Sequence, residues 1–147
     1  VISKTVLLLA EPFGKGLTAE RVASPLARGL AADGSLEADL CPLEEGLGGG
    51  QVVGPSTPLD EVHFDRRMRA ARAVVLVCAK LNDRALAGSV AFEAATRARQ
   101  SGVPAYAVTA SNALDPFEAR IVDLQVILQA DDSRSLSAAG RKLAMLV

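Results

Sequence analysis

Few residues in this chain have the type and spacing to do chemistry. Phe13-Gly14-Lys15-Gly16-Leu17-Thr18 sets a lysine between two glycines, just ahead of a helical pattern. Such a lysine could meet an anion at the helix N-terminus. A true phosphate loop would need glycine at position 9 and Ser or Thr at position 16; Leu9 and Gly16 stand there instead. A plain strand-to-helix turn is the competing reading. Glu11 precedes this segment, and Glu44-Glu45 lie at the end of a second strand pattern, where carboxylates could hold a metal or a substrate hydroxyl. Gly46, Gly48, Gly49 and Gly50 follow, able to cradle phosphate with backbone N–H groups. A flexible linker explains the same glycines. Lys80 and Asn82 come just after the clearest apolar run.

Other candidates carry weaker signals. His63 has no Cys or Ser partner near it in sequence. Cys78 ends a buried pattern, as an inert core thiol does. Arg66, Arg67, Arg69 and Arg72 form a basic cluster, which is a solvated helix face or, less simply, an anion site. Asp131-Asp132 precede and cap the last helix pattern, where Ser133 or Ser135 could also serve. Two cysteines and one histidine make neither a disulfide scaffold nor a zinc site by spacing. A metal ligand set is therefore left unassigned.

These residues must be held by one domain, since 147 residues leave no room for two. Half of them are hydrophobic and 22% charged, an ordinary globular balance. A net charge of -1 lacks the basic surplus of a nucleic-acid or acidic-membrane binder. Five aromatics, none of them Trp, offer little for base stacking. The longest apolar runs, such as Ala73 to Ala79, fall far short of the ~20 residues of a membrane span. The opening run meets Glu11-Pro12 too soon for a signal peptide. The chain starts on Val1 rather than Met, which implies trimming or missing residues. A reduced, cytoplasmic setting fits the cysteine usage.

Strand and helix patterns alternate along the chain. Thr5 to Ala10, Leu36 to Cys41, Ala73 to Ala79, Val103 to Thr109 and Leu124 to Gln129 predict five strands. Helices are expected from Thr18 to Gly34, with a kink or restart at Pro25, then over Leu59 to Ala71 and Arg84 to Gln100. A short helix begins at Asp115-Pro116, and a last one carries Leu136, Leu143 and Leu146. The Gly/Pro-rich stretch from 46 to 58 predicts a long loop. The alternation implies an α/β, three-layer, doubly wound domain with a mainly parallel sheet, in the flavodoxin-like order 2-1-3-4-5. Ligands bind such sheets beyond the carboxyl ends of the strands. That end would gather Glu11 to Lys15, Glu44 to Gly50, Lys80 to Asp83 and Ala110 to Leu114.

With these residues in place, a family resemblance emerges. Leu9 to Ala19, followed by Ala27-Arg28-Gly29-Leu30, resembles the start of the bacterial type I glycerate kinases, A-P-D-S-F-K-G-S-L-[ST]-A and then A-[RK]-G-[LF]. Cys41-Pro42-Leu43-Glu44-Glu45-Gly46-Leu47-Gly48-Gly49-Gly50 resembles their C-P-[LV]-A-D-G-G-E-G-T segment. Leu76 to Ser89, then Gly102-Val103-Pro104-Ala105, is similar to their T-G-E-G-[RS]-[LI]-D-x-Q-[ST]-L-x-G-K segment and the following G-[VI]-P-[VA]. The resemblance implies the Rossmann-like core alone. The family's inserted second domain would be replaced by the 46–58 loop.

The same resemblance implies ATP-dependent phosphorylation of glycerate, with ATP and Mg2+ as cofactors. Glu11, Lys15 and Glu45 would be catalytic; Gly46, Gly48, Gly49, Lys80 and Asn82 would bind the nucleotide. Departures are numerous: Pro12 stands for the family's Ser, Gly48 for a Glu, Cys78 for the T-G-E-G Glu, Asn82 for an Asp and Ser89 for a Lys. Phosphoryl transfer depends on such charges, so these losses count against ordinary turnover. Two other readings stand beside a reduced kinase. One is a non-catalytic domain that binds a small anion or nucleotide. The other is an assembly subunit, a homo-oligomer or the mate of a second chain, with Leu47, Val52 and Val53 as its apolar patch.

Overall fold

The computed structural model describes residues 3–14, 16–47, 56–82 and 88–147. Five strands form one parallel sheet: β1 (Thr5–Ala10), β2 (Glu37–Pro42), β3 (Ala73–Leu81), β4 (Ala105–Asn112) and β5 (Leu124–Gln129). Their spatial order is β2-β1-β3-β4-β5, as the sequence implies. The described helices are α1 (Ala19–Leu30), α2 (Ser56–Glu61), α3 (Phe64–Arg69), α4 (Val90–Gln100), α5 (Pro116–Val122) and α6 (Ser133–Leu146). This is the expected doubly wound α/β architecture.

The central strands are apolar on both faces because helices cover both. Leu7, Leu9, Val74 and Leu76 point into a core shared with α2, α3 and α4. Val6, Leu8, Val75 and Val77 point into the opposite core, under α1 and α6. Alanine-rich α4 lies on the first of these cores through Ala91, Ala94, Ala95 and Ala98. On the other face α1 and α6 cross at two glycines. A methyl group on Gly29 would collide with the Ser137 backbone oxygen, and one on Gly140 with the Leu26 oxygen. Only glycine allows backbones to approach this closely.

Helix ends follow their side chains. Thr18 caps α1 by accepting from Arg21 N–H at 3.2 Å. Asp115 caps α5 with Pro116 next to it. Asp132, rather than Ser133 or Ser135, caps α6, and the Ser135 hydroxyl reciprocates from the third helical position as a capping box.

Several expectations need correction. α1 runs unbroken through the buried Pro25, with no restart at Ser24. The predicted helix over Leu59–Ala71 is two short helices. They are separated at His63, whose φ of 58° lies in the left-handed region and cannot continue a helix. α2 begins at Ser56, inside the stretch expected to be loop. β3 and β4 extend beyond their apolar runs, since Lys80 pairs with Ser111 and Leu81 with Asn112 in the ladder. The predicted helix start at Arg84 lies outside the described residues. The described helix begins at Val90, capped by Ser89, which accepts from Phe92 N–H.

The arginine cluster also divides. Arg67 turns inward. Its Nε and Nη2 donate to the two Asp39 carboxylate oxygens at 2.9 and 2.6 Å, and Nη2 and Nη1 also donate to the Leu40 and Val62 carbonyls. It locks α3 to the outer edge of β2 and is no anion site. Arg97 ties α4 to α2 and α3 through Asp60 and Asp65.

Candidate functional site at the carboxyl ends of the strands

The parallel order brings the loops after β1, β2 and β3 to one end of the sheet. Glu11 stands at their meeting point. Its N–H donates to the Val77 carbonyl at 3.1 Å. One carboxylate oxygen accepts from Leu47 N–H at 2.9 Å, and the other from Ala79 N–H at 2.6 Å. A single partly buried side chain thus laces the end of β1 to β3 and to the loop after β2. That loop begins with a turn in which Gly46 N–H donates to the Leu43 carbonyl at 3.0 Å, with Gly46 at a φ of 93°. The left-handed conformation suits glycine there. The turn delivers Leu47 into the core, 1% exposed, and the Leu47 carbonyl accepts from Ala91 N–H at the start of α4. Leu47 is therefore no surface patch; Val52 and Val53 lie outside the described residues.

Glu44 performs a second long-range task. Its carboxylate accepts from Ala19 N–H at 2.9 Å, at the first turn of α1. With the Thr18 hydroxyl on Arg21 N–H, two of the helix's free donors are already satisfied by the chain. The negative charge that helix N-terminus favours is supplied by the protein itself. An incoming phosphate there would face Glu44.

The remaining sequence candidates scatter. Glu45 is exposed at the turn, and Lys80 is exposed near the end of β3. Asn82 follows β3, partly buried. Lys15, Gly48 and Gly49 lie outside the described residues, so their place in the site is not part of this geometry. Beside α1 and the start of α6 a depression of about 520 Å3 is lined by Arg21, Ser24, Pro25, Arg28 and Ser133, among others.

Both cysteines are buried, free thiols. Burial, and then the nearby Glu11 charge, push the Cys78 thiol well up. Burial raises Cys41 as well, against the opposing pull of Arg67. Neither has the thiolate character of a nucleophile.

The resemblance implies Mg2+ and ATP at this end of the sheet. Both Glu11 oxygens and one Glu44 oxygen accept backbone N–H groups. Among the described residues no cluster of three or more His, Cys, Asp or Glu could hold a metal. These described carboxylates do not fit a metal centre.

Sequence reasoning singled out Glu11 but missed the work of Glu44. Its partner is a backbone amide in another element, which leaves no mark in residue type or spacing.

No protein-family model and no curated protein matches the chain. Several solved structures share its fold. A de novo designed Rossmann 2x3 protein aligns with a TM-score of 0.50 at 9% identity, over 97% of this chain and 90% of that one. A conserved protein from Enterococcus faecalis V583 aligns with a TM-score of 0.52 at 9% identity, over 96% and 99%. At that identity the likeness establishes a Rossmann-like fold and nothing of activity. No helix among the described residues is long and apolar enough to cross a membrane.

Proposed function

We propose that this chain is a glycerate-kinase-like core that binds a small anionic ligand, a carboxylate or phosphate ester, at the carboxyl ends of its strands, and that it transfers no phosphoryl group on its own. The observation that carries the reading is the commitment of Glu11 and Glu44 to the amides of Leu47, Ala79 and Ala19. Carboxylates spent on bracing loops are poor choices for holding Mg2+ or taking a proton from a hydroxyl. Among the described residues at that end, Lys80 on β3 is an exposed cation that a ligand's negative charge can meet. In this reading the protein works in the cytoplasm, alone or in a homo-oligomer or with a partner chain, and its buried thiols suit a reducing compartment.

Thermal shift tests the binding half of the reading. Glycerate, phosphoglycerate and ADP are added singly at millimolar concentration to the wild type, Lys80→Ala and Arg28→Ala. A ligand at tenfold its Kd stabilises by about 1.4 kcal/mol, which raises the Tm of a chain this size by ~3–6 °C. The shift should vanish in Lys80→Ala and persist in Arg28→Ala. No shift with any of the three, or a shift lost only in Arg28→Ala, overturns the assignment.

A further inference from the structure

The two helix layers treat charge differently. In the layer of α2, α3 and α4 it is paired: Arg67 meets Asp39, and Arg97 meets Asp60, Asp65 and Glu93. In the other layer, α1 and α6 together carry five cations, Arg21, Arg28, Arg134, Arg141 and Lys142, and one carboxylate, Glu20. Among the described residues none of these six is in an ion pair, on a chain whose net charge is -1. A local surplus of unpaired cations draws anions to this layer.

Two of the cations border the same hollow. Arg21 and Arg28 are seven residues apart, two turns of α1, which sets them on one side of the helix and about 10 Å apart along its axis. Both line the depression of about 520 Å3 beside the start of α6, a volume in the range of small-molecule sites. Arg21 Nη1 donates to the Gly16 carbonyl at 3.2 Å, which leaves its other donors free. Pro25 lies between the two arginines along the helix. Having no N–H, it leaves the Arg21 carbonyl without its usual helical donor. That carbonyl and the Ser24 and Ser133 hydroxyls in the same lining suit a ligand rich in hydroxyls. Glu20, the hollow's one carboxylate, is outnumbered by the arginines.

We propose that this hollow binds a linear sugar bisphosphate, with one phosphate on Arg21, the other on Arg28, and sugar hydroxyls on the Arg21 carbonyl and the two serines. Guanidinium groups take phosphate oxygens in pairs. A phosphate end brings a charge of about -1.5 to -2 at neutral pH, more than a carboxylate brings, which matters where solvent screens the contact. Phosphoglycerate is too short to reach both arginines, and ADP is charged at one end only. The site is therefore separate from the Lys80 site proposed above, and either can fail without the other.

Isothermal titration calorimetry with fructose 1,6-bisphosphate tests the proposal on the full chain. The wild type should bind the sugar at a single site with a Kd below millimolar. Arg21→Ala and Arg28→Ala should each weaken binding about tenfold. Fructose 6-phosphate, which has lost one charged end, should bind the wild type more weakly by a similar factor. Lys80→Ala and Arg141→Ala, both outside the hollow, should bind the bisphosphate as the wild type does. Both hollow arginines are exposed, so Tm without sugar should stay at the wild-type value. No binding at millimolar bisphosphate overturns the proposal, and so does equal affinity for the two sugars. A loss in Lys80→Ala places the sugar at the strand ends instead. A loss in Arg141→Ala equal to that in the hollow variants reduces the effect to diffuse attraction. Either result rejects the assigned site.

Discussion

Replacing Glu11 with glutamine should cost the fold several kcal/mol, because its carboxylate is a brace. The wild-type side chain accepts from Leu47 N–H at 2.9 Å and from Ala79 N–H at 2.6 Å. Glutamine keeps one acceptor oxygen and turns an NH2 group toward the other amide. One hydrogen bond is lost, two donors face each other, and the surviving bond loses its charge. Bonds to charged groups contribute ~1.5–3 kcal/mol, so a net loss of about 2–4 kcal/mol follows at this partly buried position. For a chain of this size the Tm should fall by ~5–15 °C. Thermal and urea unfolding measure the loss, with the urea slope unchanged. Amide exchange locates it, since Leu47 and Ala79 should lose protection while the α1–α6 crossing does not. A Tm within ~2 °C of wild type, with both amides still protected, would refute the brace and return Glu11 to the pool of free catalytic carboxylates.

Other consequences can be checked singly. Gly140→Ala places a methyl group against the Leu26 carbonyl and should destabilise by about 1–3 kcal/mol in urea unfolding. The Ser135 backbone amide, and then its hydroxyl, hold the Asp132 carboxyl below its ordinary value. Lowering a folded-state pKa stabilises above the unfolded value, and that gain is lost as pH falls through the folded one. The first turn of α6 should therefore fray in acid, seen as lost exchange protection at Ser135 N–H, and Asp132→Asn should abolish the pH dependence. Cys41 and Cys78, buried with raised pKa values, should react with iodoacetamide at neutral pH only as fast as the protein unfolds; rapid labelling of native protein would contradict their burial.

The apolar runs of β1 and β3 made the buried strands legible, and the regular alternation with helices made the sheet order so. Capping residues such as Thr18 and Asp115 were equally readable, because a cap acts within three residues of its partner. Strand ends were not. Lys80 looks like a loop residue by polarity, yet it stays in the ladder because Ser111 lies beside it on β4. The break at His63 was hidden for a similar reason. The apolar spacing of Leu59, Met68 and Ala71 suits one helix or two, and the packing of Phe64 and Met68 into the core decides between them. At the site, the glycerate kinase resemblance made Glu11 look catalytic. Its partners are main-chain N–H groups 36 and 68 residues away, and any sequence could supply those.

Glycerate-dependent ADP release, measured with ATP and Mg2+ in excess, tests the central claim most directly. The account predicts no rate above the glycerate-free background. A glycerate-dependent rate that disappears in Lys15→Ala would contradict it and restore the chain to the working kinases.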